Sequence, residues 1–311
     1  MHIDQSQYYK VKNILHTFVL LVSMLLLLAL IGWLIAGLAG LIWTFFSGLL
    51  LLLIIPAFAS RLTLYLYHAR MMPLSEVHEI IHAMARRCQL PRVPAVYYLP
   101  SPAMLAFSTG FYPDQSIAVS DGMLRYLNHR ELTAVLAHEM SHLKNRDLWV
   151  MVIADVISRL TAIMALFGYL MLVIYLPSFI IAGEAVPWLL ILTLILAPNA
   201  SALLQLALSR TREFTADAMA IKLTGDPLGL ISALNKLNKF EQHWLKQMLL
   251  PGYRHPQPSL LRSHPLTEER IKRLLKMAQS NKPLDEEGGF ISFKANQPRS
   301  KPRHRFTGIW H

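Results

Sequence analysis

Two histidines and a glutamate sit where they could hold a metal ion and activate water. In His138-Glu139-Met140-Ser141-His142 the imidazoles are four residues apart, so on a helix they share one face and can reach one ion. Glu139 follows the first ligand directly and can take a proton from water bound at that ion, the arrangement that hydrolyses peptide bonds. The flanking Val135, Leu136 and Leu143 supply the apolar side such a helix would bury. A catalytic zinc takes three protein ligands and keeps a place for water. The third is not a nearby histidine, because Leu148 stands six residues after His142. The stretch Ser209–Ala220 offers one instead, with Glu213 and Asp217 four apart on a helical face. Glu213 can bind the metal, and Asp217 can accept a hydrogen bond from a ligand histidine and hold its tautomer. The other reading of these two acids is a solvated pair beside Arg210 and Arg212.

The elements that must carry these residues are unusual for a soluble enzyme. Of the 311 residues, 54% are hydrophobic and 16% charged, against about 25% charged in a soluble domain. No Asp, Glu, Lys or Arg occurs from Asn13 to Ser60. That run is long enough for two spans of about 20 residues, expected near 14–35 and 38–58, with the turn around Gly32, Gly37 and Gly40. It far exceeds the apolar core of about 7–15 residues in a cleaved leader, which is not expected here. A second block, Leu148–Leu208, contains only Asp155, Arg159 and Glu184 as charges. Pro177 and the Gly183–Pro187 region divide it into spans near 148–174 and 186–208, with Pro198 and Asn199 kinking or shortening the last. Asp155 and Arg159, four apart, read first as a pair on one helix face.

Among the 30 Lys and Arg, only Arg159 lies inside either block. The positive-inside rule then puts both termini and the intervening segment in the cytoplasm, with two short turns outside. The net charge of +11 reflects this topology and attraction to anionic lipid. No nucleic-acid motif accompanies it. The lone Cys88 is expected as an ordinary buried thiol, and with no phosphate-binding loop in the sequence, hydrolysis is not expected to need ATP in this chain.

Six segments follow: 1–13, a cytoplasmic N-terminus; 14–60, a transmembrane hairpin; 61–147, the first part of the catalytic domain; 148–208, a second hairpin; 209–278, the second part of the catalytic domain; and 279–311, a basic tail. In the first soluble part, Ser75 caps a helix with Val77, Ile80, Ile81 and Met84 on its apolar face. Strands are expected at 95–99, 104–108 and 116–120, and helices from Met123 to Asn145. The second part should hold helices at 209–223, 227–240 and 266–278.

Four features together resemble the M48 family of zinc metallopeptidases, most closely its heat-shock membrane proteases. They are His138-Glu139-x-x-His142; Ser209-Arg210-x-Arg212-Glu213-Phe214-x-Ala216-Asp217; His264-Pro265 with Arg270; and the four-span layout. The resemblance implies an α-helical membrane protein with four transmembrane helices plus a mainly α (α+β) gluzincin-type zinc peptidase domain with a small β-sheet. It implies one Zn2+ per chain, held by His138, His142 and Glu213. Glu139 would be the general base, and His264 and Arg270 would help stabilise the tetrahedral intermediate. An edge strand, here Met104-Leu105-Ala106-Phe107, would line the substrate, with Ala103 or Met104 where the family carries Asn. The implied activity is endopeptidase cleavage on the cytoplasmic side of a bacterial inner membrane, in quality control of unfolded or misfolded membrane proteins. Two other readings share these residues: a processing protease with one defined substrate, and a non-enzymatic zinc-binding scaffold, against which the intact Glu139 argues. Oligomeric state is not written in the sequence.

Overall fold

The computed structural model describes residues 5–183, 185–248 and 267–280. The first element, α1 (Gln5–Leu66), is broken at Ala36 (φ −146°) and Gly37 (φ 54°). Gly37 adopts a left-handed conformation that costs other residues about 1–2 kcal/mol. The two arms fold back tightly on each other there, since a Cβ on Gly40 would lie 1.9 Å from the Gly32 carbonyl oxygen. The break falls inside the glycine cluster expected to turn the chain.

After α1 come β1 (Arg70–Met71), α2 (Glu76–Arg87), β2 (Ala95–Leu99), β3 (Ala106–Thr109), β4 (Ser116–Ser120), α3 (Asp121–Tyr126) and α4 (His129–Asn145). The strands form one mixed sheet in the order β1-β2-β4-β3. β2 and β4 are parallel, while β1 and β3 run antiparallel to their neighbours. The sheet therefore has a fourth strand beyond the three expected; β1 is too short for its alternation to register. The second expected strand begins two residues later, at Ala106, because Ala103 and Leu105 are engaged by Ser120. The Ser120 hydroxyl donates to Ala103 O at 2.6 Å and accepts from Leu105 N at 2.9 Å.

The next elements are α5 (Asp147–Ala182), α6 (Trp188–Thr224), α7 (Pro227–Met248) and α8 (Thr267–Ser280). Two boundaries differ from expectation. Pro177 lies inside α5, and the chain turns instead at Gly183 (φ 67°), the C-cap. The helix expected at 209–223 is not separate but the continuation of α6, which also runs through Pro198. One proline forfeits a single backbone bond, and around it Ile31, Leu194 and Ala197 pack together. Three described helices are long and apolar enough to cross a membrane: 44 residues within α1, 35 within α5 and 37 in α6.

The core of the soluble half joins α2 (Ile80, Ile81, Met84), β4 (Ile117, Val119) and α4 (Leu132, Leu136, Met140, Leu143) to the ends of α6 and α7 and to Leu274 of α8. Each such side chain contributes about 1.5–3 kcal/mol on burial. Cys88 belongs to this core, and burial pushes its thiol up. A separate core holds Met24 and Leu28 of α1 against Ala154, Ile157 and Leu160 of α5 and Leu208 of α6. Thus α5 and α6 pass from one core into the other. Residues 249–266 and 281–311, which include His264 and most of the basic tail, lie outside the described residues.

Candidate active site

α4 is fixed at both ends before it presents any chemistry. At its start Asn128 and Glu131 form a capping box, each side chain accepting from the other's backbone N–H at 2.9 Å, which satisfies two otherwise orphaned donors. Glu131 also accepts from Ser232 at 2.7 Å and Lys236 at 2.6 Å, tying α4 to α7. Burial raises the Glu131 pKa, but these bonds outweigh it and the net shift is downward. At its other end α4 stops at Arg146 (φ 55°, ψ 35°), which is also the first cap of α5. This single left-handed residue breaks the helix, and just beyond it Asp147 meets His142.

The ligand atoms converge. His138 Nε2 and His142 Nε2 are 3.2 Å apart. Glu213 Oε2 is 3.4 Å from His138 Nε2, and Oε1 is 3.7 Å from His142 Nε2. A tetrahedral ion with bonds of about 2.0–2.2 Å needs ligand atoms about 3.3–3.6 Å apart. The donor set therefore fits such an ion without rearrangement. Each histidine is oriented from behind: His138 Nδ1 lies 3.0 Å from Asp217 Oδ1, and His142 Nδ1 lies 2.8 Å from Asp147 Oδ2. An Nδ1–H donated to each carboxylate leaves both Nε2 lone pairs facing the shared space.

Two arginines complete the surround. Arg270 donates to both Asp217 oxygens, at 2.8 and 2.7 Å, and Nη1 lies 3.0 Å from Glu213 Oε2. Arg212 pairs with Asp147 and reaches toward Thr17 of α1 at 3.4 Å. The carboxylates of Glu139, Asp147, Glu213 and Asp217 are all buried, and they outnumber these guanidiniums by two. A divalent cation balances that excess, which a buried site could not otherwise sustain cheaply. Where no cation is bound a proton takes its place. Burial and Arg270 both oppose it, yet Asp217 and Glu213 push the His138 pKa up to about 10.

The structure thus brings together five of the expected residues, His138, His142, Glu213, Asp217 and Arg270, around Glu139. No described side chain hydrogen-bonds the Glu139 carboxylate, and it lies on the buried site face at 3% exposure. Arg270 is 3% exposed and bonded both to Asp217, behind His138, and to the candidate ligand Glu213 itself, so it lies at the site where the resemblance implies a role at the oxyanion. Asp147 and its partner Arg212 were not foreseen. The five-residue spacing from His142 was the only signal, and it crosses a helix break. β3 is one of the two edge strands of its sheet and lies beside α4. Within the expected substrate segment, the side chains of Met104 and Phe107 are buried, while Leu105 and Ala106 are partly exposed.

The family model of peptidase family M48 matches residues 73–278. The chain belongs to peptidase family M48. It is a metallopeptidase with membrane-type helices, and similar proteins are found in both archaea and bacteria. A protease HtpX homolog of Pyrococcus abyssi is 34% identical over 85% of this chain and 96% of its own length. The homolog from Pyrococcus furiosus is 36% identical over 80% and 90%, and that of a Sulfurihydrogenibium species 33% over 87% and 98%. A crystal structure of S. mikatae Ste24p superposes with a TM-score of 0.48 at 22% identity, over 86% of this chain and 66% of that one.

Proposed function

We propose that the protein is a zinc-dependent endopeptidase that cuts unfolded or misfolded membrane proteins at the cytoplasmic face of a bacterial inner membrane. The observation that carries the chemistry is the triangle of His138 Nε2, His142 Nε2 and Glu213, each imidazole backed by a carboxylate. These three residues would hold a zinc ion, which would supply a Lewis acid and acidify water at the site. Glu139 receives the water proton and delivers it to the leaving amine. Asp217 and Asp147 keep both imidazoles in the ligating tautomer. Arg270 holds Asp217 and Glu213 in register, a positioning role, and His264 is left as the donor to the developing oxyanion. The backbone of β3 pairs with an extended peptide and sets its scissile carbonyl against the site.

Four crossings fit this reading. The broken α1 folds back at Gly37 and each arm is long enough to cross about 30 Å of hydrocarbon, while α5 and α6 form the second pair. The basic segments then lie together on the cytoplasmic side. The partition of the catalytic domain into 61–147 and 209–278 agrees with a single core containing α2, α4, α7 and α8.

The test is cleavage of an unfolded protein by zinc-loaded, detergent-purified wild type beside Glu139→Gln, with bound zinc measured in both. The substitution is expected to retain zinc and lower cleavage by at least about 100-fold. Equal cleavage by both proteins would remove Glu139 from the reaction.

A further inference from the structure

Beside His142 the structure holds a hollow of about 220 Å³. Whole-ligand pockets span about 300–1,000 Å³, so this one suits a single side chain. We infer that it is the subsite for a bulky apolar side chain adjacent to the scissile bond, an inference that rests on the peptidase reading of the metal site.

Position is the first argument. His142, a proposed metal ligand, forms part of the wall. Gly110, Phe111 and Tyr112 form another part, and they follow directly on β3. A peptide laid along the free edge of β3 advances about 3.3 Å per residue. Beyond Thr109 such a peptide would run on toward Gly110–Tyr112, which share the lining of the hollow with His142. A larger hollow of about 340 Å³, under Leu74 and Tyr98, includes no proposed ligand.

The walls give the second argument. Phe111 and Trp149 meet with ring centroids 4.5 Å apart at 51°, and Leu143 closes the inner side. Neither ring is fully covered: Trp149 at the start of α5 is 43% exposed, so aromatic surface remains for an incoming side chain. The loop that presents Phe111 is held rigidly. Gly110 has φ 88°, and a Cβ there would lie 2.1 Å from Asp114 O. Gln115 reaches Leu143 O at 3.4 Å, tying the loop to α4.

Charge is the third. Arg146 lines the hollow and makes no ion pair among the described residues. Its guanidinium disfavours a cationic side chain and leaves aromatic and large aliphatic ones preferred.

The experiment uses the zinc-loaded full chain in detergent and two peptide hydroxamates. They are identical except for a benzyl or a methyl side chain next to the chelating group. Calorimetric titration is expected to show the benzyl compound binding about tenfold or more tighter. Phe111→Ala and Trp149→Ala should each bring that ratio severalfold closer to one. Arg146→Gln, which removes the charge from the rim and leaves both aromatic walls in place, should strengthen binding of an aminobutyl analogue relative to wild type. Equal binding of benzyl and methyl compounds by wild type would overturn the subsite. So would a benzyl preference untouched by both wall substitutions. Hydroxamate binding needs no turnover, so the two readings fail separately. A benzyl preference without any peptide hydrolysis keeps the side-chain pocket beside the metal and overturns its placement at a scissile bond. Glu139-dependent hydrolysis without the preference keeps the peptidase and overturns the pocket.

Discussion

α5 carries two aspartates, each paired with an arginine, in opposite circumstances. Asp147 at its start has a side chain 3% exposed and binds His142 as well as Arg212 from α6. Asp155, two turns on, is 36% exposed and meets Arg159 of the same helix at 2.6 Å. The first pair crosses between elements, is buried and has a third partner whose orientation depends on it. The second is local, half in contact with the surroundings, and orients nothing else. Removing one partner from a buried charge network leaves an unpaired charge, which is costly. An i,i+4 pair within one helix ties no second element to the site. The charges that matter to this molecule are thus the ones that bridge α4, α5, α6 and α8 around the ligands.

The contrast is open to breakage by substitution. Arg270→Leu should cost the most. It strands Asp217 and Glu213 in a buried site, and thermal unfolding of the zinc-free protein should show a loss of about 3–5 kcal/mol. Asp147→Asn comes next. It swaps the acceptor that orients His142, and chelator competition should report zinc affinity about 10–100-fold weaker. A value equal to wild type would demote Asp147 to the standing of Asp155.

A third outcome concerns pH. The metal-free His138 pKa lies near 10, above its ordinary 6.5. The stability it lends is full below pH 6.5 and is lost as pH rises through about 10. Zinc must displace that proton, so affinity should rise about tenfold per pH unit between 7 and 9. Titration in buffers of different ionisation enthalpy should detect about one proton released per zinc. The smallest effect on the site belongs to Asp155 and Arg159: replacing both by alanine should leave zinc affinity within about twofold of wild type by the same chelator competition.

What the sequence revealed followed helical spacing. His138 and His142, and again Glu213 and Asp217, are four apart within unbroken helices, so residue spacing alone reports their common face. Asp147 escaped because the Arg146 joint separates it from α4, and no periodicity survives a left-handed residue. Arg212 was read as a neighbour of Glu213, although one residue along a helix turns the side chain by about 100° and sends it to Asp147. The division at residue 208 came from composition, which changes there; backbone conformation does not, so α6 runs on. β1 was too brief to alternate, and Pro177 carried more weight as a breaker than one lost hydrogen bond deserves.

That uninterrupted α6 gives the molecule a safeguard in time. During synthesis the chain delivers His138, Glu139 and His142 first, then the apolar length of α5 and the early turns of α6, and only afterwards Glu213, with Arg270 later still. Domains generally take shape from the N-terminus as they emerge. On the proposed ligand set, a nascent chain halted before α6 is complete would hold Glu139 and two ligands yet lack the third, so peptide cleavage would wait for the later part of the chain.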